Sequence, residues 1–206
     1  MAISAGFLNV ANILHNSRVN GPGNRTVLHL AGCTLGCVGC FNPELWKKDA
    51  GTPTRINDVL STLRAARAEH LTISGGEPLQ QAEAVLELLH RLRDSSYCDP
   101  RIKTVMLFSG YYLHEISAGV LAMLGEYLDA GVFGRYEPNS VLKFSGVGPA
   151  SSTNQHVVLF TNKLQSVEAQ PAGVEVLIAP NATAVTTGFP SKSLIGLLSA
   201  EKGVTQ

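Results

Sequence analysis

The chain has 206 residues, 45% of them hydrophobic, which is enough for one well-filled core and short for two. Sixteen basic and sixteen acidic side chains cancel, excluding a global positive field of the kind that drives sequence-independent binding to nucleic acid or anionic lipid. No window reaches the roughly 18 apolar residues of a membrane span, and no basic residue precedes the apolar positions near the start, so a soluble cytoplasmic protein is expected.

In chain order, Asn20-Gly21-Pro22-Gly23 is a turn signal and the β-branched and apolar run 26–31 reads as a first strand. A loop carrying three cysteines follows. Residues 55–69 place Ile56, Val59, Leu60 and Leu63 at helical spacing, with Thr54 available as an N-cap. A short strand over 71–74 ends at Gly75-Gly76, and Val85, Leu88, Leu89 and Leu92 predict a second helix over 82–92. The pattern then repeats, with strands at 104–108, 131–133 and 156–161 and a helix at 113–128. Alternation of this sort predicts a parallel sheet covered by helices. A terminal hairpin is expected from 175–178, a turn at Asn181 and 185–187, with a last helix over 191–202. No repeat, low-complexity tract or linker marks a boundary, so residues 1–206 are read as a single domain. The two Asn-x-Thr sequons, at Asn24 and Asn181, are treated as chance, because nothing else points to a secretory compartment.

Three of the four cysteines fall within eight positions, poor arithmetic for a disulfide framework and good arithmetic for a metal site in a reducing compartment. Cys33, Cys37 and Cys40 have the spacing Cys-x3-Cys-x2-Cys, so one short loop can direct three soft thiolates at one centre. Three ligands leave one position open, whereas a structural zinc is normally closed by four. His29 is the nearest upstream fourth donor, but its place in an apolar strand favours a packed, hydrogen-bonded histidine. A zinc knuckle or a set of buried small hydrophobes is the bland alternative, and the clustering argues against it. Cys98, in the polar run Ser95-Ser96-Tyr97-Cys98-Asp99-Pro100, cannot by itself support a second cluster. Ser74 and Ser109 have no nucleophile-elbow context, Gly75-Gly76 is not a phosphate loop with a lysine, and the remaining histidines are scattered.

The cysteine loop resembles that of the radical S-adenosylmethionine superfamily. Ser74-Gly75-Gly76-Glu77-Pro78 is similar to that superfamily's glycine-rich motif at the end of the second strand, where backbone and an acidic side chain hold the cofactor's ammonium group. Within the superfamily the likeness is to activating proteins of glycyl radical enzymes, in particular those of anaerobic ribonucleoside-triphosphate reductase. Asn20 to Arg25, Cys40-Phe41-Asn42-Pro43-Glu44-Leu45-Trp46, Phe108-Ser109-Gly110-Tyr111 and Ser151-Ser152-Thr153-Asn154-Gln155 carry it in order, from about residue 8 to residue 160. Departures are Gly39 where many superfamily loops have an aromatic, Phe133 where an aspartate usually stands, Thr153 within the late segment, and a chain beyond Thr161 longer than the compact activases.

The resemblance implies an incomplete, TIM-like α/β barrel with a C-terminal hairpin and helix extension over about 161–206. It implies a 4Fe–4S cluster on Cys33, Cys37 and Cys40, and S-adenosylmethionine on its open iron. An electron from an external flavodoxin- or ferredoxin-type donor would cleave the cofactor to methionine and a 5′-deoxyadenosyl radical, which takes hydrogen from a glycine of a larger partner. The expected cofactor contacts are Phe41, Gly75, Gly76, Glu77, Pro78, Ser109, Gly110 and Tyr111, although Phe41 and Tyr111 also suit simple packing. Arg25 is a candidate to pair with a carboxylate or tune potential near the cluster loop; its alternative is a surface arginine flanking a turn. Two other functions stay open: a radical enzyme acting directly on a small molecule or peptide, and a non-catalytic iron–sulfur or zinc-binding module.

Overall fold

A computed structural model describes residues 6–94, 102–138, 140, 152–168, 173–178 and 184–188. Seven strands form one sheet: β1 (Phe7–Ser17), β2 (Arg25–Leu30), β3 (Thr52–Arg55), β4 (His70–Gly75), β5 (Thr104–Ser109), β6 (Ala130–Phe133) and β7 (His156–Leu159), in the order β3-β1-β2-β4-β5-β6-β7. The α/β class is as expected. β2, β4, β5 and β6 form the parallel core that the alternation predicts, while β1, β3 and β7 add antiparallel at the two sides.

Parallel neighbours need long crossovers, and the helices α1 (Ile56–Ala65), α2 (Ala82–Arg93) and α3 (Ala118–Tyr127) lie in them. Ile56, Val59, Leu60 and Leu63 of α1 and Val85, Leu88, Leu89 and Leu92 of α2 are buried in one cluster with Leu28, Leu30, Leu71, Ile73, Val105 and Leu107 of the sheet. Each such side chain contributes roughly 1.5–3 kcal/mol by leaving water. Strand side chains alternate, so the residues between these, among them Val27, His29, Thr72 and Met106, face the other side of the sheet. A smaller apolar cluster of Met106, Ala130, Val132 and Leu164 forms there.

Several boundaries differ from expectation. Thr54 is not an N-cap: it belongs to β3, its hydroxyl donates to the Thr52 carbonyl at 2.9 Å, and α1 begins after an extended Arg55 with no side-chain cap. The 113–128 run splits into a single 3-10 turn at Leu113–Glu115 and α3, whose N-terminus is capped by the Ser117 hydroxyl accepting from the Val120 N–H. β1 was not foreseen. Register shifts between Val10 and Asn12 and between Leu14 and Ser17, with Asn16 at φ 62°, interrupt the alternation that identifies a strand. β3 carries Pro53, tolerated because the strand is at the sheet edge.

The expected hairpin is present as β8 (Val174–Ile178) and β9 (Ala184–Gly188), an antiparallel pair separate from the main sheet. The turn at Asn181, the helix over 191–202 and Cys98 lie outside the described residues. Among the described residues, no helix is long and apolar enough to cross a membrane.

Candidate functional site

The cysteine loop leaves β2 at Leu30 and is anchored by main chain. The Gly32 N–H donates to the Leu45 carbonyl at 2.8 Å, the Cys33 N–H to the Trp46 carbonyl at 2.9 Å and the Cys40 N–H to the Cys37 carbonyl at 3.1 Å. These bonds hold three free, half-buried thiols past the C-terminal ends of the parallel strands. Cys33, Cys37 and Cys40 all line one cavity of about 900 Å³, open solvent at its mouth included.

Three soft thiolates on one loop and one cavity are a donor set that fits an iron–sulfur cluster, in which each thiolate takes its own iron. Burial pushes the Cys33 and Cys40 thiols up, and each is pushed further by the neighbouring Cys37; Glu77 adds to the effect at Cys33. Backbone N–H groups oppose it, from Leu35 and Gly36 at Cys33 and from Asn42 at Cys40. Thiols that repel one another as thiolates are stabilised together by cationic iron.

The Gly75-Gly76-Glu77 segment packs main chain to main chain against this loop. The Gly76 N–H donates to the Leu30 carbonyl at 2.7 Å and the Glu77 N–H to the Gly32 carbonyl at 2.9 Å. A Cβ at Gly75 would lie 2.3 Å from the Leu30 oxygen, and one at Gly76 would lie 2.6 Å from the Gly32 oxygen, so only glycine fits at either position.

Glu77 is 1% exposed. Its Oε1 accepts from the Leu79 N–H at 2.8 Å and from the Ser109 hydroxyl at 2.9 Å, and its Oε2 accepts from the Gly110 N–H at 2.7 Å. Burial pushes the acid up; the Leu79 and Gly110 N–H groups, the Ser109 hydroxyl and the Arg135 charge oppose this. Three of about four acceptor positions on the carboxylate are thus filled. Glu77 is therefore a clamp between the loops after β4 and β5.

Of the anticipated contacts, Phe41, Gly75, Gly76, Glu77, Ser109 and Gly110 line the cavity with the cysteines; Pro78 and Tyr111 do not. Pro78 is buried at the start of a 3-10 turn. The Tyr111 hydroxyl accepts from Gln80 Nε2 at 3.3 Å, and the same nitrogen donates to the Thr34 hydroxyl at 2.7 Å, linking the β5 loop to the rim of the cysteine loop.

The placement of Arg25 near the cluster loop is corrected. It opens β2, about 17 Å of strand before Leu30, and is fully buried. Its guanidinium donates to the Thr72 hydroxyl at 2.6 Å, the Leu71 carbonyl at 2.6 Å, the Pro22 carbonyl at 2.8 Å and the Thr104 hydroxyl at 3.2 Å. Burial lowers its pKa to about 9, so it stays charged at neutral pH.

His29, buried on the cavity face, has Nδ1 at 2.7 Å from Asn12 Oδ1. Burial pushes its pKa down to about 4, leaving it neutral. Tyr136 was not anticipated. Its ring centroid lies 4.4 Å from that of Phe41, and both line the cavity. It comes from the connection after β6, where no short-range pattern could announce it.

A family model described as a 4Fe-4S single cluster domain matches residues 19–158. Three similar curated proteins are each named anaerobic ribonucleoside-triphosphate reductase-activating protein. The one from Vibrio cholerae is 34% identical over 125 residues, covering 57% of this chain and 77% of its own. The one from Escherichia coli is 32% identical over 115 residues, covering 52% and 71%. The one from Enterobacteria phage T4 is 34% identical over 128 residues, covering 59% and 76%.

Proposed function

The chain belongs to the 4Fe-4S single cluster domain family and to the group of anaerobic ribonucleoside-triphosphate reductase-activating proteins, and from that premise we propose that it is a radical S-adenosylmethionine activase that installs a glycyl radical on an anaerobic ribonucleotide reductase. The observation that carries this reading is the convergence of Cys33, Cys37 and Cys40 with the Gly75-Gly76-Glu77 segment on one cavity at the ends of parallel strands. In such α/β architectures active sites are built on the loops at that end.

When bound, the cluster and S-adenosylmethionine supply the one-electron chemistry, which ends with a hydrogen atom taken from the α-carbon of a glycine on the partner. The rest falls to this chain's own residues. Cys33, Cys37 and Cys40 would ligate the cluster. The backbone of Gly75 and Gly76 and the remaining acceptor position of Glu77 would receive the cofactor's ammonium group. Ser109 and Gly110, held by Glu77, fix the adjoining wall, and Phe41 and Tyr136 offer an aromatic face beside Cys40. His29, buried and hydrogen-bonded to Asn12, adds no cation to the cavity wall. No side chain is required to act as a general acid or base.

The incomplete barrel, the single-domain organisation, a flavodoxin- or ferredoxin-type reductant and a cytoplasmic location belong to the same proposal, supported by the family and by the clustering of three of the four cysteines in the sequence. The test is anaerobic reconstitution with iron and sulfide. A brown protein that releases 5′-deoxyadenosine with dithionite and S-adenosylmethionine is expected. A colourless, zinc-loaded protein that releases none would overturn the reading.

A further inference from the structure

The cavity that holds the thiols has a second end. Asn20, Thr187 and Gly188 line it together with the cysteines, yet they lie far from them along the strands. The Asn20 carbonyl accepts from the Thr72 hydroxyl at 2.8 Å. Thr72 pairs with Val27, about 10 Å of strand before Leu30. Thr187 and Gly188 belong to β9, in the hairpin C-terminal to the family-matched residues.

The hairpin is fastened at three points. Asn20 Nδ2 donates to the Ser17 hydroxyl at 2.8 Å and to Thr187 Oγ1 at 2.9 Å, and the Thr187 hydroxyl lies 3.2 Å from Asn20 Oδ1. The Arg18 N–H donates to Glu175 Oε1 at 2.8 Å. Gly188, at φ 101°, sits so close to the chain that a Cβ there would lie 2.7 Å from Val19 Cγ2 and 2.3 Å from the Gly173 oxygen. The Asn20 amide and the Thr187 hydroxyl satisfy each other, and both residues are buried. Groups already paired offer a ligand little, so this end is built to be closed rather than occupied.

We propose that the β8–β9 hairpin plugs the end of the cavity remote from the thiols, latched by Asn20, Thr187 and Gly188, and so restricts access to the reactive centre to the thiol-lined mouth. A closed far end keeps water and dioxygen from a site whose chemistry both would divert. It also means that the hydrogen donor must enter past the cysteine loop, as a protruding segment of a macromolecule can. The inference rests on the proposed function for what is protected, but not for the closure itself.

The test uses full-length Gly188→Ala and Thr187→Val. Gly188→Ala adds a Cβ where none fits; Thr187→Val removes the latch hydroxyl. Three readouts apply: backbone hydrogen exchange in β8, acrylamide quenching of Trp46 in the apoprotein, and dioxygen bleaching of the loaded cluster. Trp46 is the sole tryptophan and lines this cavity. Exchange is expected to rise about fivefold in Thr187→Val, the factor by which losing one net hydrogen bond shifts an opening equilibrium, and to rise in Gly188→Ala as well; quenching and bleaching are expected to rise above the wild-type level that entry through the mouth sets. Faster exchange in β8 with quenching and bleaching at wild-type levels would overturn the plug, and unchanged exchange in both variants would overturn the latch. A wild-type protein that takes up no cluster would sink the proposed function alone, because the quenching of Trp46 still reports closure.

Discussion

Replacing Glu77 by alanine probes the clamp on which the site's geometry depends. The carboxylate is 1% exposed and serves three donors, the Leu79 and Gly110 N–H groups and the Ser109 hydroxyl, at 2.7 to 2.9 Å. Hydrogen bonds to a charged group are worth roughly 1.5–3 kcal/mol each, and relief of the buried charge offsets part of their loss, leaving a net cost of about 2–4 kcal/mol. For a chain of this size that lowers Tm by roughly 5–15 °C. Ser109→Ala, which removes one of the three bonds, costs about 1 kcal/mol. Because both substitutions remove the same Ser109–Glu77 bond, the double variant falls short of the sum by about 1 kcal/mol. The pH dependence has a definite sign. Burial raises the Glu77 pKa above its ordinary 4.5, so the folded chain holds this proton more tightly than the unfolded chain. The group's contribution is therefore greatest at low pH and falls as pH climbs from that value through the raised one. Thermal and urea unfolding of the apoprotein, in acidic and in neutral buffer, measures all of this. A Glu77→Ala variant within about 0.5 kcal/mol of wild type, or strict additivity with Ser109→Ala, would refute the clamp.

Cys37→Ala removes one of three thiolates, and both the visible absorbance of the reconstituted protein and its release of 5′-deoxyadenosine are expected to vanish; retained release would show the ligand set to be wrong. His29, with a pKa near 4 in the fold against 6.5 outside it, stabilises the native state fully above pH 6.5 and progressively less as pH falls towards 4. By pH 5 the loss is about 2 kcal/mol, and urea titrations should show it in wild type and not in His29→Gln. Arg25→Ala should cost about 3 kcal/mol of stability, since it leaves a cavity and strips a donor from Thr72, Thr104 and two carbonyls. The absorbance of the loaded protein should not move, because Arg25 lies at the far end of β2; a spectral change would restore it to the cluster's surroundings.

The parts of the site read most directly from sequence were those whose chemistry demands particular residue types at short spacing. Cys33, Cys37 and Cys40 lie on one loop, and Gly75 and Gly76 are needed because two main chains nearly touch. The crossover helices were also legible, because Ile56 to Leu63 and Val85 to Leu92 bury one face of a regular period. β1 was not, since its bulges break the period of two, nor was β3, where Pro53 reads as a turn until the strand is known to be an edge. Arg25 was misplaced because eight residues look short in sequence, while six of them are an extended strand that carries the guanidinium away from Cys33. Tyr136 and Thr187 had no local signal. They reach the cavity only through the β6–β7 connection and the C-terminal hairpin, which are tertiary facts.

The most direct test of the account is the electron paramagnetic resonance spectrum of the reduced, cluster-loaded protein mixed anaerobically with S-adenosylmethionine and an anaerobic ribonucleotide reductase. A glycyl radical doublet that is absent with Cys37→Ala and absent without the cofactor is the predicted result. Release of 5′-deoxyadenosine with no doublet on the reductase would contradict the assignment as its activase.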